Sequence, residues 1–184
     1  MPDTALLLMD FQRSIADRLG SPEVLAAARR AADAARGAGI PVLFVRVAFR
    51  DGFPEVSPAN RMFAALRERG ESGTEQHDLA RIHPDLGRRD DEPLVTKRRV
   101  SAFAGSDLDV LLRAGGIRSL VLSGIATSGV VLSTVRQAAD LDFGLTVLAD
   151  ACADADPEVH RVLTEKVFPR QAEVTTADAW AASL

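Results

Sequence analysis

Residues 119–148 read SLVLSGIATSGVVLSTVRQAADLDFGLTVL, and this stretch decides the fold. Ser119–Ser123 is a short, unbroken apolar run of strand length, and Leu145–Leu148 is another. Gly124–Thr127 forms the turn out of the first run, into a segment of helical period that reaches about Asp142. Strand, helix and strand in this order make a crossover unit between parallel strands. Strands that are apolar throughout, rather than alternating, belong to a sheet covered on both faces.

The same alternation extends in both directions. Thr4–Met9 (TALLLM) reads as a buried strand ended by Asp10. Ser21-Pro22-Glu23 opens a helix with a serine cap, a proline at the first helical position and an acid in the first turn. Val24, Ala27, Ala28, Ala31, Ala35 and Ala38 form one stripe of that helix, and Gly37–Gly39 closes it. Pro41–Val47 is a second strand. Residues 48–92, with Pro54, Pro58 and Pro84, read as loops around a short helix near Asn60–Glu68. Pro93–Thr96 is a third strand, ended by Lys97, and Ser106–Arg113 is a helix closed by Gly115-Gly116. Asp156-Pro157-Glu158 repeats the cap, proline and acid device, and Ala172–Thr175 is a sixth strand before a short terminal helix. The expectation is one α/β domain over residues 1–184, a three-layer α/β/α arrangement with a six-stranded, mainly parallel sheet and helices on both faces.

Of the 184 residues 47% are apolar and 26% charged, which supplies a core and excludes wholesale disorder. A formal charge of -4 argues against a dedicated nucleic-acid binder. No apolar stretch approaches the roughly 20 residues that span a bilayer. The first apolar run has no basic residues before it, so no signal peptide is expected. Cys152 is the single cysteine, which excludes an internal disulfide framework and suits a reducing compartment. These features point to a cytoplasmic globular protein with no nucleic-acid or membrane partner.

In parallel sheets ligands bind beyond the carboxyl ends of the strands, where the strand order reverses. The residues there are Asp10, Arg46 to Phe49, Lys97 and the Gly124–Val130 turn. Asp10 and Lys97 can meet across a pocket as a general acid–base pair, or can form an ordinary ion pair at the sheet rim. The small residues Ala126, Thr127, Ser128 and Gly129 let backbone approach a ligand and aim N–H groups at a developing oxyanion, or simply make a tight turn. Gly124 and Gly129 do not make a dinucleotide fingerprint, no P-loop follows, and Ala126 stands where a serine-hydrolase elbow needs glycine. A dinucleotide oxidoreductase is therefore poorly supported. Phe11, Phe49 and Phe103, with Ser128, are candidate pocket lining; for the rings, and for Phe44, core packing is the alternative. Arg98 and Arg99 either raise the potential at the pocket mouth or are solvated.

Three segments carry a resemblance: LLLMDFQ at residues 6–12, VTKRRVSAFAGSDLDVLLRAGGIRSLVLSGIATSGVVLSTVRQAADLDF at 95–143 and LTVLADACADADPEVH at 145–160. Together they resemble the isochorismatase-like hydrolase superfamily over about Leu6 to Thr176. The ordered D-x-Q, K-x-x-x-S-A-F and G-x-x-T…T is specific when all three occur. The resemblance implies a six-stranded parallel sheet and a homodimer or homotetramer. In the superfamily's cysteine branch an aspartate takes the proton of a cysteine nucleophile beside a lysine; Asp10 matches the aspartate and Lys97 the lysine. The nucleophile's position falls on Val130, which cannot form a covalent intermediate. Cys152, placed after the fifth strand, reads as a buried packing residue. Thr127, Ser128 and Ser133 are the nearby hydroxyls, and no adjacent motif supplies a histidine to activate them. Isochorismatases proper work without the cysteine, by general acid chemistry on a vinyl ether, but they usually read G-V-Y-A through this turn.

Nicotinamidases of the superfamily bind a metal through a histidine-bearing loop; the matching stretch DGFPEVSPANRMF has no histidine, so neither metal nor other cofactor is expected. The functional expectation is hydrolysis of a vinyl-ether or C–N bond by Asp10 and Lys97. A degenerate member that only binds a ligand or partner is the rival.

Overall fold

The alternation of strands and helices is present in a computed structural model of the chain, which describes residues 3–68 and 74–184. The order is β1 (Thr4–Met9), α1 (Arg13–Leu19), α2 (Pro22–Gly37), β2 (Val42–Val47), α3 (Arg61–Glu68), β3 (Leu94–Lys97), α4 (Leu108–Ala114), β4 (Ser119–Ile125), α5 (Leu132–Asp140), β5 (Gly144–Ala153), α6 (Pro157–Val162), β6 (Glu173–Thr175) and α7 (Ala177–Ala182). The six strands form one sheet in the order β3-β2-β1-β4-β5-β6, and every neighbouring pair is parallel. The order reverses between β1 and β4, so the crevice of such a sheet opens at the carboxyl ends of those two strands.

The strands are apolar on both faces because both faces are covered. Leu6, Leu8 and Phe44 join the alanines of α2 and Trp180 of α7 in one layer. Leu7, Met9, Val45, Leu120 and Leu122 join Leu108 and Leu112 of α4 and Val135 and Ala138 of α5 in the other. The side chains of β1 thus alternate between two cores. A third, smaller cluster of Phe49, Phe53, Val56 and Phe63 lies in the segment after β2.

Local signals act as read. The Ser21 hydroxyl accepts from the Val24 amide at 3.4 Å, and Asp156 accepts from the Glu158 amide at 2.9 Å, each capping a helix that begins with proline. Beyond α2, Gly39 takes a φ of +70°, which a β-carbon would oppose.

Three elements differ from the expectation. Helix α1 was not anticipated: its first residue follows Gln12, which makes no side-chain cap, and its apolar stripe is short, Ile15, Ala16 and Leu19 packing on the core. Strand β5 runs past Leu148 to Ala153 through the polar Asp150, whose carboxylate accepts from the Ala177 amide at 2.7 Å. Cys152 consequently lies inside β5, paired with Gly124, and not after it. The helix expected directly after the β4 turn instead begins with a wide, π-type turn over Thr127–Val131 before α5. None of the described helices is long and apolar enough to cross a membrane.

Candidate active site

Asp10 is the first residue beyond β1, with a φ of 58°, a left-handed conformation that aspartate tolerates better than bulkier residues. Its amide donates to Val45 O at 2.8 Å, which ties the bend to β2. Lys97 ends β3, in register with Val47 at the end of β2. Strand β2 lies between β1 and β3, so the two side chains meet across its end. Lys97 Nζ lies 2.9 Å from Asp10 Oδ2, and the two side chains are 2% and 7% exposed. This is a buried pair and not a solvated rim contact. The ammonium also donates to Arg99 O and Val100 O, both at 3.0 Å, so each of its three protons has an acceptor. Asp10 Oδ1 is buried and has no hydrogen-bond partner among the described residues. Burial pushes the Asp10 carboxyl up from its ordinary value, and the charge and hydrogen bond of Lys97 oppose that rise.

Gln12, also buried, continues the edge of β2: its Nε2 donates to Val47 O at 2.9 Å and its Oε1 accepts from the Val47 amide at 2.8 Å. The glutamine of the D-x-Q motif therefore braces the backbone beside the pair.

The second half of the site is the turn after β4. Met9 is in register with Gly124, and a β-carbon on Gly124 would stand 2.7 Å from Met9 O and 3.0 Å from Met9 Cβ. Only glycine permits this approach. The same position is 3.3 Å from Val130 Cγ1. Val130 is 2% exposed and belongs to the apolar layer of Met9, Leu122 and Cys152. The Ile125–Ala126 peptide is cis. Within the turn the amides of Gly129 and Val131 donate to Ala126 O, at 3.1 and 3.3 Å. The Ser128 amide donates to Asp154 Oδ2 at 2.6 Å. Gly129, expected among the oxyanion donors, thus has its amide engaged inside the turn.

Sequence reasoning missed one contact. Thr127 Oγ1 lies 2.8 Å from His160 Nδ1, although 33 residues separate them. Thr127 is fully buried and Ser128 exposed. Burial lowers the pKa of His160, against the opposing charge of Asp154. No adjacent motif supplies this histidine: β5 and α6 return the chain to the turn, a closure that no local motif encodes.

Phe11, Phe49 and Phe103 are buried in three different apolar clusters, so core packing, the alternative reading, accounts for each. Arg98 hydrogen-bonds to Ala48 O and the Glu75 carboxylate, and Arg99 donates to Glu55 O at 2.9 Å while its guanidinium stands 5.9 Å from the centre of the Phe63 ring. The two arginines bind the surrounding loops together rather than standing free in solvent. Cys152 is buried and its thiol is pushed up to about 12 by burial, which makes it a poor nucleophile. His77 and His83 accept from the amides of Leu79 and Asp85, at 3.1 and 3.3 Å, and so cap short helical turns. Among the described residues no three His, Cys, Asp or Glu side chains converge as a metal site would require.

Residues 4–179 match the model of the isochorismatase domain family. The chain is 35% identical over 175 residues to the isochorismatase family protein YwoC of Bacillus subtilis (strain 168), covering 95% of this chain and 90% of that one. It is 36% identical over 179 residues to the ureidoacrylate amidohydrolase RutB of Stutzerimonas stutzeri (strain A1501), covering 85% of this chain and 72% of that one. Among solved structures, an isochorismatase family protein from Burkholderia thailandensis superposes with a TM-score of 0.85 at 29% identity, covering 100% of this chain and 96% of that one.

Proposed function

The chain belongs to the isochorismatase family, and from that premise we propose that it hydrolyses a small organic molecule through Asp10 and Lys97, without a cysteine nucleophile. One observation carries the reading: a buried carboxyl group with one oxygen held 2.9 Å from an ammonium and the other buried without a partner among the described residues. Leaving a buried acceptor unsatisfied costs on the order of 1–3 kcal/mol, so such an atom is conspicuous unless it exchanges a proton with something that enters the site. Burial and Lys97 act on the carboxyl in opposite directions, which is how a group is kept able both to hold and to release a proton.

Two reactions suit this pair. With a C–N substrate, ionised Asp10 takes a proton from water, the resulting hydroxide adds to the carbonyl carbon, and the proton passes to the departing nitrogen. With a vinyl ether, protonated Asp10 gives its proton to the double bond, and water adds to the resulting cation before the alcohol leaves. In the first case the amide of Ala126, which the turn's own hydrogen bonds do not use, is the candidate donor to the oxyanion. The likeness to a ureidoacrylate amidohydrolase favours a ureido or amide substrate. The same reading takes the protein to be cytoplasmic and a homodimer or homotetramer.

A second reading rests on Val130. At the position that carries the nucleophile in cysteine-dependent relatives stands a buried apolar side chain, which supports a member that binds a ligand without turning it over. A panel of ureides, amides and enol ethers, offered to the purified protein with Asp10→Asn as control, separates the two. Turnover that disappears with Asp10→Asn supports the hydrolase. Saturable binding with no turnover of any class supports the binder.

A further inference from the structure

The turn that follows β4 is anchored at its far end, where Val130 and Val131 are buried in the apolar layer, and has less to hold its start. Ala126, Thr127, Ser128 and Gly129 carry small side chains or none, regular α-helix begins only at Leu132, and two bonds to Ala126 O close the turn internally. Two longer-range attachments come from the chain after β5. Asp154 accepts from the Ser128 amide at 2.6 Å, and the ring of His160 meets the Thr127 hydroxyl at 2.8 Å. His160 is itself held: Asp156 caps α6 at its first turn, and the Thr164 hydroxyl donates to His160 O at 2.9 Å.

We propose that His160 is a positioning residue for the candidate oxyanion turn, fixing through Thr127, together with Asp154 at Ser128, the backbone that presents the Ala126 amide. This rests on reading that turn as the donor site. Thr127 is fully buried, so no substrate reaches its hydroxyl, and the pair with His160 is not a nucleophile and its base. For the same reason the hydroxyl depends on its protein partner, because no bulk water can replace the ring. Oxyanion donors act only if they are in place before charge develops, so a turn built from small residues needs such a brace.

The test compares Thr127→Val, His160→Ala and the conservative Thr127→Ser by amide hydrogen exchange, following the peptide over residues 124–132 with the α2 peptide as internal reference. Thr127→Val and His160→Ala should each speed exchange in the turn by about tenfold and leave α2 unchanged, while Thr127→Ser stays at the wild-type rate. On a substrate found by the panel above, the two disruptive variants should lower kcat by about tenfold with KM nearly constant, and Thr127→Ser should restore it. Wild-type exchange in Thr127→Val would overturn the proposal, as would faster exchange with undiminished kcat. Thr127→Val is nearly isosteric and keeps the test available if His160→Ala fails to fold. Exchange needs no substrate, so it decides the brace even when no compound is hydrolysed; that failure would count against Asp10 and Lys97 instead.

Discussion

Asp10→Asn removes one charge from the mouth of β1 and preserves the shape, since asparagine also accepts a φ of 58°. The consequence falls on Lys97. Its ammonium, 2% exposed, loses the carboxylate at 2.9 Å and keeps two carbonyl acceptors at 3.0 Å. Removing one partner of a buried ion pair costs about 3–5 kcal/mol, because the remaining charge stays out of water. For a chain of this length each kcal/mol lowers the melting temperature by about 2–4 °C, so a fall of roughly 6–20 °C is expected. Lys97→Met leaves the carboxylate behind instead of the ammonium, and that group can take up a proton. Burial already holds the Asp10 pKa above the ordinary 3.8, and removing Lys97 removes the largest influence that opposes it. A carboxyl with a raised folded pKa contributes its full stability below the unfolded value and loses it as the pH climbs through the folded value. The penalty of Lys97→Met is therefore smallest in acid and grows toward neutral pH. Urea unfolding from about pH 4 to about pH 8, on both single variants and the double variant, reads this directly, and the double should cost less than the sum of the singles. Turnover in Asp10→Asn should drop about 10²–10⁴-fold. A folded Asp10→Asn protein within about 1 kcal/mol of wild type, with turnover intact, would refute both the buried-pair argument and the role given to Asp10.

Gly124→Ala should destabilise by about 1–3 kcal/mol in urea unfolding, since the new methyl group meets the backbone of Met9 and strands β1 and β4 must part. Iodoacetamide should leave native Cys152 unmodified at neutral pH, its thiol being buried and pushed up to about 12. Loss of a native activity on labelling Cys152 without unfolding would move the catalytic site. Sedimentation at micromolar concentration should give a dimer or tetramer, and a purely monomeric profile would contradict that expectation.

What the sequence determined by itself is what short-range chemistry encodes. Unbroken apolar runs specify strands covered on both faces, as Leu6–Met9 shows with side chains in two cores. Ser21-Pro22 and Asp156-Pro157 start helices through bonds that reach two or three residues along the chain. Because the strands are parallel, every carboxyl end lies on one edge, and Asp10, Lys97 and the Gly124 turn could be named as neighbours of one cleft. Their relations could not be read in this way. Whether Asp10 and Lys97 form a solvated or a buried pair depends on β2 lying between β1 and β3 and on what covers its end, which strand order decides. The orphaned Asp10 Oδ1, the engaged amide of Gly129 and the scattering of Phe11, Phe49 and Phe103 are likewise products of packing. His160 is the plainest case: it opposes Thr127 because β5 runs on past its apolar run to Ala153 and α6 then folds back over the β4 turn. Hydrogen bonds between distant side chains are set by where whole elements come to rest, and no pattern within a few residues of either partner carries that information.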